Sequence, residues 1–244
     1  MDPDDRHLNL DYSIPMRSKV WDSYPKEGKF MKKIFVLFAV LFSASLSSKT
    51  IIEEWNTVKI PTPPALKAVM VDPKETALVV IDVFSKLCDD NNPRCLAVVP
   101  SLQKFLHEAR GHNMTIVYVV SGNPTVGPKP TAADIKKELA PIAGESVVFE
   151  AAPSGDKFIA DDLEAVLRSK GIKTLIITGM ATNGAVLYTG SGAVFREFNV
   201  IVPVDGTAAR DTFAELLTVW QLANGPRLAG KVALTKLDMI TIGK

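Results

Sequence analysis

The chain has 244 residues, of which 47% are apolar and 23% are charged, and its 28 basic side chains nearly balance its 27 acidic ones. This composition is typical of a globular protein, and the length fits a single α/β domain. The charge balance argues against a nucleic-acid partner or an acidic membrane surface, because both select a concentrated basic patch.

A short apolar segment near the N-terminus predicts export. Met31 and two lysines are followed by nine apolar residues, 34–42, and then by a serine-rich stretch. This is the order of regions in a secretory signal peptide, and nine residues are too few to cross a bilayer, which takes about 20. We predict an upstream segment over 1–30 and a signal peptide over 31–47, with no stable membrane anchor after processing. The destination is a periplasm or the outside of the cell; an internal anchor is the alternative.

The rest of the chain divides into an arm and a domain. Residues 48–73 contain four prolines and predict an extended N-terminal arm. Over residues 74–244, apolar runs of strand length alternate with helical patterns, which predicts βαβ units and right-handed crossovers. We therefore expect a doubly wound, three-layer α/β domain with a six-stranded, mainly parallel sheet. The predicted strands cover 77–83, 115–120, 146–149, 173–177, 200–204 and 232–235.

The chemically informative residues follow the predicted strands. Asp82 and Glu150 come at the ends of the first and third strands, where ligands bind in such sheets. The run 178–186 follows the fourth strand and leads into a helix. A turn of this kind exposes one side chain at its tip and aims backbone N–H groups at an anion. The tip carries Ala185, a methyl group, where a nucleophile is expected.

Two cysteines flank a stretch of turn-forming residues. Cys88 and Cys95 are the only cysteines in the chain and lie seven positions apart. In an oxidising compartment such a pair predicts a disulfide that closes the loop. In a reducing compartment the same residues would be two free thiols.

Several of these stretches resemble one known family. They are Ala77 to Val83, Asp134 to Pro141 with the following Gly144-Glu145, and Leu163 to Asp205. All three are similar to segments of the isochorismatase-like cysteine hydrolases, the group that includes the nicotinamidases. The resemblance covers about residues 74 to 240. It implies the doubly wound fold, descent from hydrolases of small molecules, and homo-oligomers.

The resemblance also implies a catalytic set of aspartate, lysine and cysteine, in which the cysteine attacks a carbonyl and the aspartate takes its proton. Asp82 matches the aspartate, and Ala185 stands at the cysteine position. The lysine position falls at Glu150 in one alignment and at Ala152 in another, with Lys157 at a neighbouring motif position. Two of the three catalytic positions are therefore predicted to be substituted.

The expected pocket lies around the turn. The resemblance implies a cis peptide bond between Met180 and Ala181, which would form an N–H cradle near the tip. Phe84 would line the pocket and make it more apolar, and Asn183 and Gly184 would complete its wall.

No metal or other cofactor is expected. No histidine lies near Asp82, and both His107 and His112 are predicted at the surface. Thr182 and Thr189 lie near the tip, but neither has an evident base that would make it a nucleophile.

Two functions stay open. The first is an exported protein that lacks cysteine-hydrolase activity and binds a small molecule or acts as an oligomeric module. The second is a hydrolase of a small amide or related C–N or ether substrate, in which Asp82 and Glu150 activate water. Burial of Glu150 beside Asp82 would favour the hydrolase, whereas Glu150 in solvent would favour binding.

Overall fold

The computed structural model describes residues 48–121, 131–150, 154–159 and 162–243. The chain falls into two units, one ending at Lys59 and the other beginning at Ile60. In the first unit, the described residues form helix α1 (Ile51–Glu54) and a 3₁₀ turn (Trp55–Thr57). The segments predicted as 1–30 and 31–47 lie outside the described residues.

The second unit is built on a parallel sheet. In the described part of the chain this sheet has seven strands in the order β4-β3-β2-β5-β6-β8, with β7 beside β5, and a separate two-stranded parallel sheet pairs β1 with β9. The strands are β1 (Val69–Val71), β2 (Thr76–Ile81), β3 (Thr115–Ser121), β4 (Ser146–Glu150), β5 (Thr174–Met180), β6 (Asn199–Pro203), β7 (Thr207–Ala208), β8 (Val232–Thr235) and β9 (Ile240–Ile242). The helices are α2 (Pro93–Gly111), α3 (Leu163–Ser169), α4 (Leu187–Phe195) and α5 (Thr212–Asn224).

Strand β2 shows why the sheet lies in the middle of three layers. All six of its residues are buried, and the five from Ala77 to Ile81 alternate between two apolar cores. Leu78 and Val80 pack in the core that contains Leu102 of α2. Val79 and Ile81 pack in the core that contains residues of α3, α4 and α5. A strand that is apolar on both sides needs helices on both faces, so the predicted doubly wound α/β fold is confirmed.

The sequence prediction differs from the structure in the shortest elements. All six predicted strands are present, but β1, β7 and β9 were missed because two or three residues carry no readable periodicity. The residues 134–139, where the sequence before Pro141 predicts a short helix, instead contribute to two 3₁₀ turns, Ala132–Asp134 and Lys137–Leu139. Between them the buried, extended Ile135 pairs with Phe84, which breaks the helix. The boundary of the arm at 73 stays a prediction, although the arm contains α1 and β1.

The predicted disulfide between Cys88 and Cys95 is present, and both residues are buried. It ties the segment that follows β2 to the first turn of α2. Within the loop, the side-chain amide of Asn92 donates to the Leu87 carbonyl at 2.9 Å and lies 3.7 Å from the sulfur of Met180. The loop that the disulfide closes therefore contacts the end of β5 through Asn92. No helix in the described residues combines the length and apolar content that a membrane crossing requires.

The centre of the sheet is the point where the strand order reverses. The first strand in the main sheet, β2, is flanked by β3 on one side and β5 on the other, so successive crossovers leave in opposite directions. Ligands bind at such switch points in open α/β sheets. Here Gly179 lies opposite Ile81 with φ at +104°, and a Cβ at this position would lie 2.0 Å from the Ile81 carbonyl oxygen.

We expect Gly179→Ala to destabilise the fold by about 4 kcal/mol or more, since it combines a backbone clash with a left-handed φ. Gly144→Ala is the matched control, because Gly144 has φ at +93° but open space around it. This control should lower the free energy of unfolding by only about 1–2 kcal/mol. Urea denaturation of both variants measures the difference, and equal losses would contradict a close approach between β2 and β5.

Candidate active site

Asp82 stands directly after β2, at the switch point. Its φ is +52°, an uncommon value for a residue with a side chain, and such strained positions cluster at functional sites. The conformation is held from β3: the Asp82 N–H donates to the Val119 carbonyl at 3.0 Å. In return, the backbone N–H of Ser121 donates to Asp82 Oδ1 at 2.7 Å. The carboxyl group is therefore fixed by the neighbouring strand.

Lys157 supplies an ammonium group to Asp82. It lies in a 3₁₀ turn (Lys157–Ile159), and its side chain is only 1% exposed. Nζ lies 3.0 Å from Asp82 Oδ2 and 2.5 Å from Glu150 Oε2, and it also donates to the Ser154 carbonyl at 3.1 Å. The backbone N–H of Lys157 donates to Thr189 Oγ1 of α4 at 3.1 Å, which anchors the turn.

Glu150 converges with Asp82 and does not face solvent. It is the last residue of β4 and pairs in register with Ser121 of β3. The Ser121 hydroxyl lies 2.7 Å from Glu150 Oε2 and 2.8 Å from Asp82 Oδ2, and it also accepts from Lys157 Nζ. The hydroxyl of Ser154 lies 2.6 Å from Glu150 Oε1. Three strand ends and one turn thus bring two carboxyl groups, two hydroxyls and one ammonium together.

The electrostatics of this cluster favour a proton on a carboxyl group. Burial raises the pKa of Asp82 above its ordinary range, because the loss of hydration outweighs the opposing effects of the Lys157 ammonium and the Ser121 hydrogen bonds. The lysine cannot neutralise both carboxylates at once. Asp82 is also the most exposed of the three charged groups, at 9% of its side chain, so it is the one that a bound molecule would reach.

The turn after β5 carries no nucleophile. Ala185 is buried in an irregular helical turn (Thr182–Val186), and the expected cis peptide bond between Met180 and Ala181 is present. Two N–H groups of the turn, those of Gly184 and Val186, donate to the Ala181 carbonyl at 2.9 and 3.2 Å. These two N–H groups are therefore not aimed at a ligand.

The remaining predicted pocket residues differ in exposure. Met180 is buried, Phe84, Ala181 and Gly184 are half-buried, and Asn183 is exposed. Thr182 is buried, and its hydroxyl has no hydrogen-bond partner among the described residues. A buried hydroxyl without a partner requires an explanation, and a bound water or ligand group is one.

Sequence reasoning missed the group that completes the cluster. Alignment placed the lysine position at Glu150 or at Ala152, and Ala152 lies outside the described residues. Lys157 is the only lysine between β4 and α3, and that uniqueness was the available signal. Ser121 gave no signal, since a serine at a strand end is ordinary. The substitution at the lysine position stays a prediction, but an ammonium group reaches Asp82 from Lys157.

Metal ligation finds no support in this part of the molecule. In the described residues no group of His, Cys, Asp and Glu side chains is arranged to hold a metal ion, and His107 and His112 are exposed.

We expect Lys157→Met to cost about 3–5 kcal/mol of stability at neutral pH, because it leaves two buried carboxyl groups without a counter-ion. Those groups would then have raised pKa values in the folded state, so the variant should lose stability relative to the wild type as the pH rises from 5 to 8. Lys173→Met is the control, since that ammonium pairs with Glu75 at the surface and is 65% exposed. The control should change stability by less than about 1 kcal/mol in urea denaturation.

Comparison with known proteins agrees with the fold. Residues 76–232, which include Asp82, Glu150, Lys157 and Ala185, match the isochorismatase domain. An isochorismatase-like hydrolase from Alkaliphilus metalliredigens is 25% identical, with a TM-score of 0.59 over 67% of this chain and 87% of its own. A cysteine hydrolase from Pseudomonas syringae pv. phaseolicola is 22% identical, with a TM-score of 0.60 over 72% of this chain and 94% of its own. N-carbamoylsarcosine amidase from Thermoplasma acidophilum is 23% identical, with a TM-score of 0.56 over 67% and 97%. Since the domain match spans well over half of the chain, this protein belongs to the isochorismatase family.

Proposed function

We propose that this protein is a hydrolase of a small amide or related C–N or ether substrate that uses water in place of a cysteine nucleophile. The observation that carries the proposal is the burial of Glu150 beside Asp82, with Lys157 Nζ 2.5 Å from one carboxyl group and 3.0 Å from the other. Paired carboxyl groups in a dry site are suited to proton transfer, because each changes the proton affinity of the other.

Covalent catalysis has no candidate nucleophile at the tip. Ala185 presents a methyl group, and Cys88 and Cys95 are joined to each other. The Thr189 hydroxyl is engaged by the N–H of Lys157. Thr182 has no hydrogen-bonded base among the described residues. Attack on the substrate therefore falls to a water molecule.

Asp82 is the residue that would accept a proton from water and return it to the leaving group. As water attacks the electrophilic carbon, the new C–O bond forms and Asp82 takes a proton from the water. The C–N or C–O bond then breaks, and Asp82 returns the proton to the leaving nitrogen or oxygen. Lys157 holds Asp82 in place through these steps but is too enclosed, at 1% exposure, to touch the substrate.

The walls of the site suggest a small, partly apolar substrate. Ala185, Met180 and Phe84 contribute apolar surface around the turn. The hydroxyl of Thr182 lacks a partner among the described residues and would bind one polar group of the ligand. A substrate class of small amides agrees with the name of one similar structure, the N-carbamoylsarcosine amidase.

We propose export for the same protein. The lysine pair, apolar run and serines over 31–47 have the order of a signal peptide. The Cys88–Cys95 disulfide fits an oxidising compartment. Expression of the full chain in a secreting host should release a protein whose N-terminus, read by mass spectrometry, begins near residue 48. A chain that keeps residues 31–47 would contradict export by cleavage and favour an anchor.

A second candidate is a protein that binds a small molecule or assembles without turnover. The absence of a nucleophile at Ala185 favours it, as do four large apolar side chains exposed on α4 and α5: Tyr188, Phe195, Phe213 and Leu217. Two copies that paired through this face would cover it on both partners. The oligomeric state stays a proposal that light scattering can test.

We expect ammonia release from at least one member of a panel of small amides, and we expect Asp82→Asn to reduce it by about a thousandfold or more, as for loss of a general base. Asp238→Asn, at a 65% exposed side chain, is the matched control and should keep full activity. Thiol-alkylating reagents should have no effect, since both cysteines are in a disulfide. No turnover by folded wild-type protein would contradict the hydrolase and favour the binding protein.

The same variant has an expected effect on stability. Because burial raises the pKa of Asp82, its protonated form is favoured by folding. The wild type should therefore lose stability as the pH rises from the ordinary aspartate range through the raised pKa. In urea denaturation between pH 4 and 8, the free energy of unfolding of Asp82→Asn should not show this decrease with pH. The same decrease in the variant and the wild type would contradict the raised pKa.

A further inference from the structure

If both carboxyl groups are ionised, Ser154 has too few hydrogens for the hydrogen bonds that its contacts imply. Ser154 Oγ lies 2.6 Å from Glu150 Oε1 and 2.6 Å from the carbonyl oxygen of Asp156. A hydroxyl has one hydrogen to donate, and a carbonyl oxygen has none. Both contacts are hydrogen bonds only if the Glu150 oxygen carries a hydrogen and donates it to Ser154.

Ser121 presents the same shortage. Its hydroxyl lies 2.8 Å from Asp82 Oδ2 and 2.7 Å from Glu150 Oε2. Its oxygen also accepts a hydrogen bond from Lys157. One hydroxyl hydrogen again faces two carboxyl oxygens. Lys157 cannot supply the missing hydrogen, because its three ammonium hydrogens already face four oxygens.

The charge count points the same way. With Asp82 and Glu150 both ionised, the cluster would carry a net charge of −1, and none of its three charged side chains is more than 9% exposed. Burying an uncompensated charge is costly, and proteins usually avoid it by taking up a proton. One proton makes the cluster neutral. The contacts of this cluster come from β2, β3, β4, the segment 154–157 and α4, and its charged members are Asp82, Glu150 and Lys157.

We propose that Asp82 and Glu150 together hold one proton in the resting protein. A proton on Glu150 Oε1 is donated to Ser154, which then donates to the Asp156 carbonyl. A proton on Asp82 is instead donated to Ser121, which then donates to Glu150 Oε2. Either position supplies the hydrogen that one of the two serine hydroxyls lacks and makes the cluster neutral, so the proton belongs to the pair.

The stored proton bears on the chemistry of the site, on the basis of the proposed function. A pair that holds only one proton can accept a second, so Asp82 can take a proton from water. Once it has done so, the cluster carries a net charge of +1, so the proton is released readily to the leaving group. Glu150 is a positioning residue, since it touches Asp82 only through Ser121 and Lys157.

Infrared difference spectroscopy tests the proposal without turnover. At pH 7 the wild type should show the C=O band of a neutral carboxylic acid, and Glu150→Gln should remove it. Glu145→Gln is the matched control, because Glu145 is nearly as buried, at 8%, but has its own partner in Arg110. That control should leave the band unchanged. No acid band in the wild type at pH 7, or a band that persists in Glu150→Gln, overturns the proposal.

The pH dependence of unfolding is the second readout. If the folded pair holds a proton that the unfolded chain releases, the unfolding equilibrium constant of the wild type should rise about tenfold per pH unit relative to Glu150→Gln between pH 6 and 8. Parallel curves would overturn the proposal, and where Glu150→Gln does not fold, the wild-type infrared band alone decides. If the protein is inactive but shows the band, the proposal of a stored proton holds and the proposed hydrolase function is rejected. The failure of one proposal can therefore be distinguished from the failure of the other.

Discussion

The site depends on one buried ammonium group. Lys157 lies 3.0 Å from a carboxyl group that follows β2 and 2.5 Å from another at the end of β4. These two strands are not neighbours, since β3 lies between them. Without the ammonium, two acidic side chains would face each other in a buried site, and the carboxyl groups at the ends of β2 and β4 would repel each other. The lysine therefore stabilises the fold and sets the proton affinity of the site through the same contacts.

The packing and register of the central strands fix the positions of these groups. The Ile81 carbonyl approaches Gly179 so closely that a side chain there is excluded. The approach places Asp82 next to the turn that carries Ala185. On the other side, Ser121 and Glu150 are register partners at the ends of β3 and β4. The site is therefore assembled by strand register, with only the Lys157 segment coming from a connection.

Sequence predicted the parts of this arrangement that follow from periodicity. Apolar runs such as 77–83 identify buried strands, and strand ends place Asp82 and Glu150 at one edge of the sheet without deciding whether they meet. Lys157 could not be placed that way, because it lies in a turn and reaches the site through a long, flexible side chain. The roles of Ser121 and Ser154 could not be predicted either, because they depend on distances in the folded structure to Asp82 and Glu150. Alignment by strand therefore placed the lysine position at Glu150 or Ala152, whereas the ammonium group that reaches Asp82 comes from Lys157.

The ammonium group of Lys157 explains how a glutamate can be buried at the end of β4. Without a cation, a carboxyl group at that position would be repelled by the carboxyl group of Asp82. A lysine at the same position could pair with Asp82, and no second carboxyl group would then be needed. With Lys157 approaching from the following turn, Glu150 becomes a partner that accepts part of the ammonium's hydrogen bonding. Asp82 then keeps more proton affinity than an aspartate that has a lysine to itself. An alanine at position 185 and a glutamate at the end of β4 thus fit together in the proposed hydrolase, in which no thiol takes part and Asp82 is the group that moves a proton.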